Sequence, residues 1–80
     1  MARVLAMVER RVAPEGRDGY LGALPERRRA AAEVGVHFWV FEAGDAPGRF
    51  VEFTEAATEE AIRLLVADAT VAMWRQVGSD

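Results

Sequence analysis

Five side chains in this sequence have the chemistry for a binding or reactive site: His37, Trp39, Glu52, Trp74 and Tyr20. His37 is the only histidine, and it suits a general base or an axial haem ligand. Read plainly, it is a strand histidine at a strand start or packed under a helix. Glu52 lies between Phe50 and Thr54 on one face of a strand. If Val40 pairs with it, the carboxylate sits beside Phe38 and Val40. A carboxylate in apolar surroundings has a raised pKa and becomes a candidate acid or base. The competing reading pairs Glu52 with an arginine or sends it to the rim. Trp39 and Trp74 serve either as an aromatic wall for a flat substrate or as core and interface aromatics. Tyr20 either gates a pocket or packs over the sheet edge.

Other chemistries find no footing. Cysteine is absent, which removes disulfides and thiolate metal sites, and a lone histidine makes a poor metal ligand set. There is no nucleophile elbow, P-loop, dinucleotide fingerprint or zinc spacing. No metal and no resident cofactor is expected. The net charge of −3 argues against a broad nucleic-acid surface. All ten basic residues are arginine, and with abundant alanine this reads as codon bias of a GC-rich genome. The run Arg27-Arg28-Arg29 then reads as a solvated helix face, not a phosphate cradle. Arg49 beside the hairpin loop reads as solvated, and Glu9 and Arg11 as members of a cross-strand ion-pair set.

The elements that must position these residues are legible from pattern. Residues 3–12 read as a strand stopped by Ala13-Pro14-Glu15-Gly16. Residues 17–34 read as helix, with Gly35 at its C-terminal cap and Pro25 expected to kink it or start a second helix. Residues 36–41 and 49–54 are β-branched and aromatic, and the loop Gly44-Asp45-Ala46-Pro47-Gly48 joins them as an antiparallel hairpin. Thr58 caps a following helix with Glu59 and Glu60 in its first turn. Ile62, Leu65, Val66, Ala69 and Met73 form one helical stripe. Residues 70–77 suit a fourth strand by propensity, but the stripe runs through them, and helix is the favoured reading.

Alternation within the strands gives the main physical constraint. His37, Trp39 and Phe41 share one face of their strand; Val36, Phe38 and Val40 share the other. The third strand puts Val51 and Phe53 on one side and Phe50 on the other, and the first strand puts Leu5 and Met7 on one side and Val4, Ala6 and Val8 on the other. A half-solvated sheet alternates apolar with polar, and this one does not. The order β-α-β-β-α lets both helices cover one face. Either the last segment folds over the second face, or a second copy of the chain covers it. The homodimer through the sheet is the expected answer, because monomers seldom leave apolar patches beyond a few hundred Å² to water. Eighty residues imply one domain, spanning residues 1–80. No apolar run spans a bilayer and Glu9-Arg10-Arg11 interrupts any leader-like stretch, so no membrane partner is expected and a cytoplasmic location follows by default.

The strand GVHFWVF, the loop GDAPG, the return strand RFVEFTE and the acidic-capped helix resemble the dimeric α/β-barrel superfamily of ferredoxin-like folds. That group includes antibiotic-biosynthesis monooxygenase-like and NIPSNAP-like proteins. The resemblance implies an α+β ferredoxin-like antiparallel sheet with helices on one face and a homodimer partner on the other. It implies a cavity between sheet and helices. Within that group are cofactor-independent oxygenases, haem-degrading enzymes, dechlorination enzymes and proteins of unknown role, so the fold leaves activity open. Two functions are therefore expected to compete: a non-catalytic homodimeric module that binds a small hydrophobic molecule or a partner, and a monooxygenase-like enzyme with His37, Trp39 and Glu52 lining its pocket.

Overall fold

In a computed structural model of the chain, which describes residues 2–78, the expected hairpin is present. β1 (Val4–Arg11), β2 (His37–Glu42) and β3 (Arg49–Ala56) form the body of an antiparallel sheet. Val40 stands opposite Glu52 across β2 and β3, and Leu5 stands opposite Glu55 across β1 and β3. A short β4 (Met73–Arg75) pairs antiparallel with residues 4–6 of β1, giving the order β2-β3-β1-β4. Helix α1 (Arg17–Glu33) packs against β2, and α2 (Glu59–Arg63) packs against β1 and β3. The architecture is α+β and ferredoxin-like, with both helices on one face.

The C-terminal third corrects the sequence reading. Helix α2 ends after Arg63, and residues 73–75 are strand, not helix. The cause is local hydrogen bonding between them. The Asp68 carboxylate accepts from the Thr70 backbone N–H at 2.9 Å and from its hydroxyl at 2.6 Å, a side-chain turn that competes with helix. Arg63 donates to the carbonyls of Asp68 and Val71 and holds the loop against the end of α2. The apparent stripe crosses three structural states: Ile62 is buried in α2, Val66 is half-buried in the loop, and Met73 is on β4.

A second difference lies at Pro25. Helix α1 runs through it without a break. The ring removes the N–H that would bond the Leu21 carbonyl, but Ala30-Ala31-Ala32 and the arginine run propagate the helix beyond it. The helix ends as expected at Gly35, whose φ of +74° admits the left-handed turn. The Gly35 N–H reaches the Ala32 carbonyl at 3.1 Å and the Val36 N–H the Ala31 carbonyl at 2.9 Å, a Schellman closure. Thr58 caps α2, accepting from the Ala61 N–H at 3.2 Å.

Gly48 ties the hairpin loop to the rest of the sheet. Its φ is +89°, its carbonyl accepts from the Val12 N–H at 2.7 Å, and its N–H donates to Glu42 at 2.9 Å. A Cβ at this position would lie 2.4 Å from the Val12 carbonyl oxygen. Glu42 also takes a two-pronged bond from Arg17, at 2.7 and 3.1 Å, so one carboxylate joins α1, β2 and the loop.

The core is thin. Ala6, Leu24, Ala31, Val36, Phe38, Phe50, Ala56 and Ile62 are its buried apolar residues, and Ile62 is the largest side chain wholly enclosed. The radius of gyration is 13.5 Å, against about 12 Å for a close-packed domain of this length. The elongated outline, 42 × 27 × 23 Å, accounts for the excess.

Candidate functional site

Strand parity decides which polar groups meet. On the helix-facing side, Arg10 of β1 and Glu52 and Thr54 of β3 point toward α1. Tyr20 and Arg27 are seven residues apart on α1, two turns along one face. Both reach down to Glu52. The Tyr20 hydroxyl donates to Glu52 Oε2 at 2.5 Å, and Arg27 binds the carboxylate through both terminal nitrogens, at 2.8 and 3.0 Å. Arg10 Nε adds a longer contact of 3.5 Å. Tyr20 packs on Phe50 with ring centroids 4.6 Å apart, and the Arg27 guanidinium lies 4.8 Å from the centre of the Phe38 ring.

Glu52 is 2% exposed. Burial pushes its carboxyl pKa up, but the hydrogen bonds from Arg27 and Tyr20 and the charges of Arg27 and Arg10 outweigh burial and hold it below its ordinary value. Of the two expectations for Glu52, the structure shows pairing with an arginine and a lowered carboxyl pKa in place of a raised one. The Tyr20 hydroxyl moves oppositely, pushed up to about 12 by burial and by donation to the Glu52 anion. Arg27 is held protonated by Glu52. At neutral pH the Glu52 anion is met by Arg27, Tyr20 and Arg10, and the cluster as a whole carries one surplus positive charge.

Beside this cluster opens a cavity of about 240 Å³. Val8, Ala30, Phe38, Leu65, Val66 and Val71 supply its apolar wall, and Arg10, Arg27, Glu52, Thr54 and Asp68 its polar groups. The loop after α2 therefore roofs a hollow whose floor is β1 and β3. This sheet–helix cavity is the candidate functional site.

The other sequence candidates lie on the opposite face of the sheet. His37 stacks on Trp39, with centroids 5.6 Å apart and planes 13° from parallel. Trp74 stands opposite Leu5 at the other edge. A pocket that joins His37 and Trp39 to Glu52 does not form, because residues 37 and 39 have the parity of Phe53, not of Glu52. Tyr20 and Glu52 do come together. The sequence does not single out Arg27 or Arg10: the arginine run reads as a solvated face, whereas in the fold Arg28 and Arg29 are exposed and Arg27 is half-buried. The available signals were the seven-residue spacing of Tyr20 and Arg27 and the shared parity of Arg10 with Val4, Ala6 and Val8.

The open face is apolar at its centre and charged at both ends. Leu5, Met7, Trp39, Phe41, Val51, Phe53 and Trp74 share it, with Phe41 at 57% and Trp74 at 56% exposure. Phe41 and Phe53 meet edge to face at 5.6 Å. At one end Arg3 binds Glu55 at 2.5 and 3.0 Å; at the other Arg49 binds Glu9 at 3.0 Å. Arg49 is thus ion-paired, not merely solvated, and its bond to Glu9 is a cross-strand ion pair as expected for Glu9. The last segment does not fold over this face; it supplies β4 at the edge. No helix among the described residues is long and apolar enough to cross a membrane.

Neither a protein-family model nor a curated protein matches the sequence. Solved structures do match in three dimensions. A candidate antibiotic biosynthesis monooxygenase from Nitrosomonas europaea superposes with a TM-score of 0.73 at 15% identity, over 98% of this chain and 92% of that one. A conserved protein from Methanosarcina mazei Go1 gives 0.65 at 13% identity, over 94% and 89%. Rv0793 from Mycobacterium tuberculosis gives 0.64 at 18% identity, over 100% and 97%. At these identities the likeness establishes a shared α+β ferredoxin-like fold, and that alone, over almost the whole chain.

Proposed function

We propose that the protein is a homodimeric small-molecule-binding domain, paired through its open sheet face and holding a small, largely apolar ligand in the cavity between sheet and α1. The observation that carries this reading is the division of labour between the two faces. The open face has the apolar centre and charged margin of a protein interface. The covered face has a hollow of about 240 Å³ lined by both apolar side chains and five polar ones. That size is below the roughly 300–1,000 Å³ of drug-sized sites, which suits a single ring with a short polar arm.

A monooxygenase-like role on a flat substrate is the second reading, favoured by the name of the Nitrosomonas europaea structure. Such a reaction needs a group to take the substrate's proton. Glu52 is poorly placed for it, because Tyr20 and Arg27 already occupy both of its oxygens and lower its basicity, and Tyr20 is held neutral. Binding without turnover is therefore the better-supported function.

The test is a titration with indole followed by amide NMR. Shifts confined to Val8, Phe38, Val66 and Val71 support the cavity. Shifts confined to Trp39, Phe41 and Trp74, or none, refute it. Leu65→Trp, which fills the hollow, should abolish the cavity shifts in a folded protein.

A further inference from the structure

We infer that the ligand of the sheet–helix cavity is an organic monoanion and that Arg10 is the residue that recognises its charge. This rests on the cavity reading above and adds the ligand's chemical class. Among the charged groups that face the hollow, all but one have their bonds filled by protein partners. Arg27 is occupied: both terminal nitrogens bind Glu52, and its flat face lies on Phe38. Glu52 is occupied four times over, by Tyr20, by Arg27 twice and by Arg10. Asp68 is occupied by the Thr70 N–H and hydroxyl, with the Arg63 charge nearby.

Arg10 differs from all of these. Its sole hydrogen bond among the described residues is the Nε contact to Glu52 at 3.5 Å, the limit of such a bond. Both terminal nitrogens, the fork that grips a carboxylate, have no protein acceptor among the described residues. Its side chain is half-exposed while lining the cavity. Arg27 already neutralises Glu52 in a bidentate pair, so the charge of Arg10 is left over at the mouth. A planar fork with spare donors beside an apolar wall of Phe38, Leu65, Val66 and Val71 matches a carboxylate or enolate carried on a ring. The ring would lie against the wall and the anionic oxygens would meet Arg10.

The test compares benzoate with neutral benzamide by NMR titration of the full chain and of Arg10→Gln. Benzoate should shift the amides of Phe38, Val66 and Val71, and Arg10→Gln should weaken benzoate by about tenfold or more while leaving benzamide within about twofold. Benzamide binding as well as or better than benzoate to the unmodified chain would overturn the anion assignment and leave the cavity reading standing. Equal loss of both ligands in Arg10→Gln would assign Arg10 a packing role and also overturn it. Failure of both ligands to shift the cavity residues would overturn the cavity reading and this inference with it. Arg10→Lys, which retains the charge without the fork, should recover part of the benzoate affinity if the assignment is right.

Discussion

At the scale of single residues, Glu52 organises the covered face. Glu52→Gln would remove the charge that Arg27, Arg10 and Tyr20 surround. We expect a loss of about 1.5–3 kcal/mol in urea denaturation, below the roughly 3–5 kcal/mol of a fully buried pair, because both arginines are partly exposed and can turn to water. The pH dependence has a definite sign. A carboxyl whose folded pKa is lowered stabilises the fold above its ordinary value, and that contribution is lost as pH falls through the folded value. Glu52 and Glu42 both follow this rule, and for Glu42, held by Arg17 and the Gly48 N–H, the window runs from 4.5 down to about 2. Glu42→Gln should flatten the acid limb of a stability–pH curve there; an unchanged limb would remove Glu42 from the account. Tyr20 is the only tyrosine, so its ultraviolet titration is unambiguous: the midpoint should lie near 12, not 10. Its raised value means that its stabilisation is present below pH 10 and lost as pH rises toward 12. The sequence identified Glu52 and Tyr20 but not what they do, because the outcome depends on which guanidinium reaches across, and Arg27 and Arg28 differ only by a rotation about the helix.

At the scale of elements, parity and capping rules were sufficient for the three long strands, the end of α1 and the start of α2, but not for the unbroken passage of α1 through Pro25. They failed from residue 64 onward, where the competing signals were close. Apolar residues at helical spacing mimic a continuous stripe there. A single Asp-x-Thr turn and the Arg63 bonds to two carbonyls were enough to end the helix. Such a turn contains neither Gly nor Pro, the punctuation that sequence reading relies on. The hairpin loop offers the sharper test. Gly48→Ala would place a methyl group against the Val12 carbonyl and force a left-handed residue to carry a side chain. A loss of about 1–3 kcal/mol in thermal or urea unfolding is expected. Gly44→Ala, where nothing stands within 4 Å and φ is not positive, should cost far less. If the two substitutions cost the same, the close approach at Val12 is not what Gly48 provides.

At the scale of the whole molecule, a thin core and an apolar sheet face belong to one problem. Sedimentation at micromolar concentration should show twice the mass of the chain. Trp39→Glu, at the centre of the open face, should reduce it to one chain with weaker thermal stability. A dimer indifferent to that change would have to use another surface. The two-sided apolar pattern was visible in the residues themselves; which side the helices would choose required the register. β4 then has a further consequence. It lines only residues 4–6 of β1, so the outer backbone of Met7 to Arg11 has no strand beside it among the described residues. An unshielded stretch of this kind can template the growth of fibrils from a stray chain. Glu9, Arg10 and Arg11 sit along that stretch as gatekeepers, repelling a flat apolar newcomer. Arg10, whose spare donors would greet an anion, thus also guards the protein against its own kind.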